Sequence, residues 1–125
     1  MKRDLPVADY LTIGRTSEFP DNLLRLFDLE GEPVVVTQVA GVFFAFTNYC
    51  GHAGRPLVDG HLEDREVVCP YHGASFNLTT GLPTSALDGP LAMYRIRVTG
   101  DEVQLERRRA FADSRPPHLR FVSDL

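Results

Sequence analysis

Both cysteines of the chain and two of its four histidines fall in two matched pairs. Cys50-Gly51-His52 forms the first, and sixteen residues later Cys69-Pro70-Tyr71-His72 forms the second. Thiolate and imidazole are both metal donors. A lone cysteine is ordinarily a small buried hydrophobe, and a lone histidine ordinarily a surface group or a satisfied core residue. Two pairs in glycine-rich sequence, with Gly54 shortly after the first and Gly73 directly after the second, point instead to a metal gripped by two loops. Glycine lets the backbone approach a bound group, and N–H donors brought that close can stabilise negative charge on sulfur. A structural zinc module with a Cys₂His₂ site is one reading. Zinc fingers, however, usually pair Cys with Cys and His with His, at spacings of two to four and three to five residues. Here each arm mixes the two donors and the first spacing is a single residue.

The elements that must position these pairs are strands. Val34-Val35-Val36 and Val42-Phe43-Phe44-Ala45-Phe46 are β-branched or aromatic runs joined through Ala40-Gly41, which predicts a hairpin. Upstream, 23–29 reads as a strand leading into the turn Glu30-Gly31-Glu32-Pro33, although Pro20-Asp21 also permits a short helix there. A second hairpin alternates Tyr94, Ile96 and Val98 with Arg95 and Arg97, then returns through Gly100-Asp101 to Val103 and Leu105. Between the hairpins, about 47–90, glycines and prolines punctuate short apolar runs, so loops shaped by turns are expected. Residues 107–125 carry Arg107-Arg108-Arg109 and Arg115-Pro116-Pro117 together with Phe111, Leu119, Phe121, Val122 and Leu125, a segment expected to pack along the domain or onto another subunit.

At 125 residues the chain fits one domain, 1–125, with the metal-binding subdomain at about 47–90. A formal charge of −4 argues against a nucleic-acid partner bound through its phosphates. The start Met1-Lys2-Arg3 resembles a signal-peptide n-region, but Asp4, Pro6 and Asp9 interrupt any apolar stretch. The sequence holds no run of 18 apolar residues, so no membrane span is expected. Two cysteines do not make a secreted disulfide framework, and a cytoplasmic setting follows as the expectation.

The pattern Cys50-Gly51-His52 with Cys69-Pro70-Tyr71-His72-Gly73 resembles the Rieske proteins, in particular the [2Fe–2S] ferredoxins of ring-hydroxylating oxygenase systems. The likeness continues through Phe76, Thr80-Gly81, Pro90-Leu91, Tyr94 and Gly100-Asp101, covering about 23–106. Gly51 stands where Pro, Thr or Ser is frequent, and Ser85-Ala86 where Pro-Ala is common, so the shape of the covering loop is the part least defined. The resemblance implies an all-β fold, an antiparallel β-sandwich or barrel framework with a loop-rich cluster-binding subdomain. It implies one [2Fe–2S] cluster per chain, with Cys50 and Cys69 on the inner iron and His52 and His72 on the outer. Replacing two thiolates by neutral imidazoles raises the potential to about −150 to +300 mV, against roughly −400 mV for all-cysteine plant-type clusters. High-potential members add a disulfide and place Ser and Tyr hydroxyls just beyond the second ligand pair. Here Ala74 and Phe76 stand at those positions, with Ser75 between them, which predicts the low-potential end.

With the cluster ligands assigned, His61 and His118 are the remaining histidines, too few and too scattered for a second, mononuclear iron site. No Gly-rich nucleotide motif is present. The chain therefore reads as an electron carrier and not an enzyme. Its expected partners are an NAD(P)H-dependent flavoprotein reductase and a terminal oxygenase, each docking transiently at the His52/His72 edge. Arg55, Pro56, Leu57, Tyr71 and Pro90 are candidates for the docking face, and Asp59, Glu63, Asp64 and Glu66 for steering a basic partner. The alternatives are a small Rieske subunit held permanently by an enzyme such as a nitrite reductase and, more remotely, the zinc module.

Overall fold

The computed structural model describes residues 10–49, 56–70, 74–84 and 89–107. Ten strands carry these residues, with no α-helix among them. In chain order they are β1 (Tyr10–Arg15), β2 (Arg25–Leu29), β3 (Glu32–Val39), β4 (Val42–Thr47), β5 (His61–Glu63), β6 (Glu66–Val68), β7 (Ser75–Asn77), β8 (Met93–Tyr94), β9 (Ile96–Thr99) and β10 (Glu102–Glu106). They assemble into three sheets, ordered β2-β3-β4-β8, β1-β10-β9 and β5-β6-β7, and every strand pairing within them is antiparallel. The all-β expectation holds.

The four-stranded sheet lies between two cores. On one face Val35, Val39, Phe44, Phe46 and Met93 pack with Leu57, Val67, Cys69, Phe76, Leu78 and Leu91. On the other, Val34, Val36, Ala45 and Tyr94 pack with Phe19, Leu29, Val103 and Leu105. Alternate residues of a strand point to opposite faces. A strand covered on both sides must therefore be apolar at consecutive positions, which accounts for three valines in a row. Each such side chain fully removed from water contributes roughly 1.5–3 kcal/mol. The Tyr94 hydroxyl satisfies itself by donating to Glu32 Oε1 at 2.5 Å.

Both hairpins form where the sequence places them. Ala40 and Gly41 both take positive φ (51° and 85°), as do Glu30 and Gly31 (53° and 93°). That is the two-residue turn whose twist matches paired strands, and glycine at its second position meets the φ demand without strain. The 23–29 segment resolves as a strand starting at Arg25, not a helix, and Asp21 bridges to Gln38 instead of opening a helical turn. β1 was not visible in the sequence because its register slips between Thr12 and Gly14 where it pairs with β10, which breaks the alternation. Within 47–90 the turns carry three strands of three residues each, the sheet β5-β6-β7, that periodicity over such short runs does not reveal. Of the terminal segment, residues 108–125, including Phe111, Leu119, Phe121, Val122 and Leu125, lie outside the described residues.

Candidate metal centre

Of the four predicted ligands, Cys69 is described, whereas Cys50, His52 and His72 lie outside the described residues. Among the described residues no three His, Cys, Asp or Glu side chains gather into a metal-holding group. What the structure defines is the frame on which the segments bearing the predicted ligands are mounted.

The first segment leaves and returns through a closed neck. Asn48 N donates to Pro33 O (3.0 Å), and Tyr49 bridges to Pro56 across residues 50–55. On the return, Leu57 N donates to Asn48 O (2.6 Å) and Val58 N to the Asn48 side-chain Oδ1 (2.9 Å). Asn48 is buried, so its amide oxygen would otherwise stand unpaired away from water. Leu57–Asp59 then make one 3-10 turn, closed by Gly60 N donating to Leu57 O at 2.8 Å.

The second segment is the connection between β6 and β7. Val68 pairs with Ser75, and Cys69 N donates to Ala74 O at 2.7 Å, closing a neck around residues 70–73. Cys69 is fully buried, its thiol is free, and it shares a core with Leu57, Val67, Phe76 and Leu91. A third segment is tied alongside. Thr84 N donates to Ser75 O (2.9 Å), and the two hydroxyls meet at 2.7 Å, just before residues 85–88. The chain comes back through Leu91 N, which donates to Gly81 O at 2.7 Å.

A buried, uncrosslinked thiol on a tight hairpin, beside the neck of a segment bearing a second cysteine, fits the inner half of a mixed sulfur–imidazole centre. Among the described residues of this hairpin, none offers a free hydroxyl beside it. Ala74 has none, Phe76 is a fully buried hydrocarbon, and the Ser75 hydroxyl is already paired with Thr84.

Other sequence expectations resolve less uniformly. Leu57 is fully buried and belongs to the core, so it is removed from the docking face: the turn that follows the first neck points its side chain inward. Pro56 is half-buried and Pro90 exposed, while Arg55 and Tyr71 lie outside the described residues. Asp59, Glu63 and Asp64 are exposed and Glu66 half-buried. His61 sits exposed on β5, 2.9 Å from Glu63, and His118 lies outside the described residues. No helix among the described residues is long and apolar enough to cross a membrane. Three residues of the frame escaped the sequence reading: Asn48, Gly60 and Thr84. An Asn next to a ligand segment is a capping signal; the other two carry none that separates them from ordinary turn residues.

Comparison with known proteins agrees with this frame. The Rieske [2Fe-2S] domain family matches residues 9–106. The cytochrome b6-f complex iron-sulfur subunit of Chlorobaculum thiosulfatiphilum is 31% identical over 105 residues, which are 84% of this chain and 58% of that protein. The chain thus spans little more than half of that relative's length. The ferredoxin component of biphenyl 2,3-dioxygenase from Rhodococcus jostii is 37% identical over 91 residues, 70% of this chain and 81% of that one. Among solved structures, a complex of reduced oxygenase and oxidized ferredoxin in carbazole 1,9a-dioxygenase superposes with a TM-score of 0.74 at 27% identity, covering 82% of this chain and 96% of the matched one. These matches bring a [2Fe–2S] cluster as cofactor in place of a single zinc. With a matching profile over most of its length, a buried cysteine on the second hairpin and a closed neck beneath the first Cys–His pair, the chain belongs to the Rieske [2Fe–2S] domain family.

Proposed function

We propose that the chain, as one domain over 1–125, is a one-electron carrier whose cluster is held by Cys50 and Cys69 on one iron and by His52 and His72 on the other. The observation that carries this reading is Cys69 itself, a buried free thiol fixed between Val68 and the Cys69–Ala74 hydrogen bond, next to the neck that brackets Cys50 and His52. The bound cluster supplies a site that takes up and returns a single electron. The chain's own residues do the rest. Leu57, Val67, Phe76 and Leu91 keep water from the inner thiolate side, and the two necks hold the ligand segments in register.

The partners are proposed as a flavoprotein reductase that draws on NADH or NADPH and a terminal oxygenase, both meeting the His52/His72 edge transiently in the cytoplasm. Support comes from relatives that are ferredoxin components of dioxygenase systems and from the similarity to a ferredoxin solved together with its oxygenase. Exposed Pro70 and Pro90 and half-exposed Tyr49 flank the three ligand-bearing and covering segments, giving an apolar rim suited to brief docking. The potential is placed at the low end of the Rieske range, because Ala74 and Phe76 offer no hydroxyl and Ser75 donates elsewhere or accepts from Thr84.

The test is direct. Purified protein is expected to contain two irons and two acid-labile sulfides per chain and to give an EPR signal after dithionite. It should be reduced by NADH only when a flavoprotein reductase is added, and should then support an oxygenase. One zinc per chain without sulfide would overturn the cluster assignment. Co-purification in a fixed ratio with a larger enzyme would replace the free carrier by a resident subunit.

A further inference from the structure

The two necks are not independent. His61 pairs with Val68 at the end of the β5–β6 ladder, and Gly60 and Cys69 are the residues just beyond that pair. There the backbones approach so closely that a Cβ on residue 60 would lie 2.1 Å from the Val68 carbonyl oxygen and 3.1 Å from the Leu57 carbonyl oxygen. Both obstructing atoms are main chain, so no side-chain rotation relieves the overlap. Gly60 has φ −84° and ψ −157°, a conformation open to any residue, so glycine is required here for space and not for backbone freedom. Gly31, Gly41, Gly89 and Gly100 have nothing within 4 Å of an added Cβ.

We infer that the turn Leu57–Gly60 is the spacer that sets the separation of the two ligand-bearing segments, with Gly60 the positioning residue that lets them meet. This rests on the proposed ligation by Cys50 and Cys69. The connection runs through atoms already described. Gly60 abuts Val68, the residue before Cys69; Gly60 N is bonded to Leu57 O; and Leu57 N is bonded at 2.6 Å to Asn48 O, two residues before Cys50. Leu57 and Cys69 also share one core, so the turn is held by packing as well as by hydrogen bonds. A side chain at position 60 forces the turn away from β6, and the displacement passes along these bonds to Cys50. An iron held by both cysteines would accept only a narrow range of Fe–S distances, so such a shift would loosen its hold.

Gly100 provides the comparison. It holds φ +64° in the turn between β9 and β10 with nothing within 4 Å of an added Cβ, and the strands it joins pack in the core opposite to that of Cys69, so Gly100→Ala is strained by its backbone alone and away from the two ligand segments. Wild type, Gly60→Ala and Gly100→Ala are purified as full chains and compared by iron and sulfide content, EPR of the reduced state, redox titration, rate of cluster loss to a chelator, and thermal unfolding. Gly60→Ala is expected to lose its cluster about tenfold faster, with shifted EPR g values and potential. Gly100→Ala is expected to melt earlier while keeping the wild-type spectrum, potential and chelator rate. The inference is overturned if Gly60→Ala keeps all three wild-type values, or if Gly100→Ala changes them as much for the same loss of thermal stability. Should Gly60→Ala fail to fold, one glycine inserted between Asp59 and Gly60 lengthens the spacer without adding a Cβ; a wild-type spectrum in that variant overturns the inference too. Absence of iron and sulfide from the wild type would instead defeat the cluster assignment beneath it.

Discussion

At the scale of single residues, the candidate ligands were legible in the sequence and the residues that support their segments were not. Cys50, His52, Cys69 and His72 stand out because thiol and imidazole at matched short spacing have few other uses. Asn48 carries only the general capping signal of an asparagine, yet its backbone oxygen and side-chain oxygen both receive N–H groups from the returning chain. Asn48→Ala leaves the Val58 N–H without its acceptor and is expected to cost about 1–3 kcal/mol. Thermal unfolding checks this, and Asn48→Asp, which keeps an oxygen at the same place, should recover most of the loss. A second prediction concerns the cluster's charge. Ala74→Ser introduces a hydroxyl where the structure has none, and a hydrogen bond stronger by about 1.4 kcal/mol in the reduced state is about 59 mV for one electron. Redox titration of Ala74→Ser should therefore show a rise on the order of 50 mV; an unchanged or lower value would contradict the account of the low potential.

At the scale of elements, the hairpins followed from local sequence, because turn chemistry acts over two residues. Ala40 nevertheless holds φ of 51°, which a residue with a Cβ adopts at a cost. Ala40→Asn creates the Asn-Gly pair best suited to this turn and should stabilise the chain by about 0.5–1 kcal/mol. Chemical denaturation measures it, with the spectrum of the cluster unchanged because the turn lies at the far end of β3 from the Pro33–Asn48 contact. Thr37 gives the complementary case. It is fully buried on the same strand, and its hydroxyl has no hydrogen-bond partner among the described residues. Thr37→Val preserves shape and removes an unsatisfied group, so it should raise stability by about 1 kcal/mol in the same measurement. A loss of stability there would mean that the hydroxyl is satisfied by a buried water.

At the scale of the whole molecule, the sheets are closed by contacts between distant parts of the chain. β1 pairs with β10, and Arg15 and Asp101 meet at 2.5 Å on the surface. Arg107 forms an ion pair with Glu30, near the last residue matched by the family. The family match ends at residue 106. A chain ending at Arg107 is therefore expected to keep the wild-type EPR spectrum and potential, and loss of the cluster on that truncation would give the terminal segment a place in the centre.

By themselves the strand and turn patterns determined a β-rich chain, and the two Cys–His pairs nominated a sulfur–imidazole centre, because ligand chemistry and turn chemistry are written in adjacent residues. Tertiary structure alone decided that Leu57 faces the core and not a partner, that the Ser75 hydroxyl is spent on Thr84, and that Gly60 lies against the strand leading into Cys69. Each of those outcomes depends on which backbone comes to rest against which, and close packing between segments far apart in the chain leaves no local pattern to read.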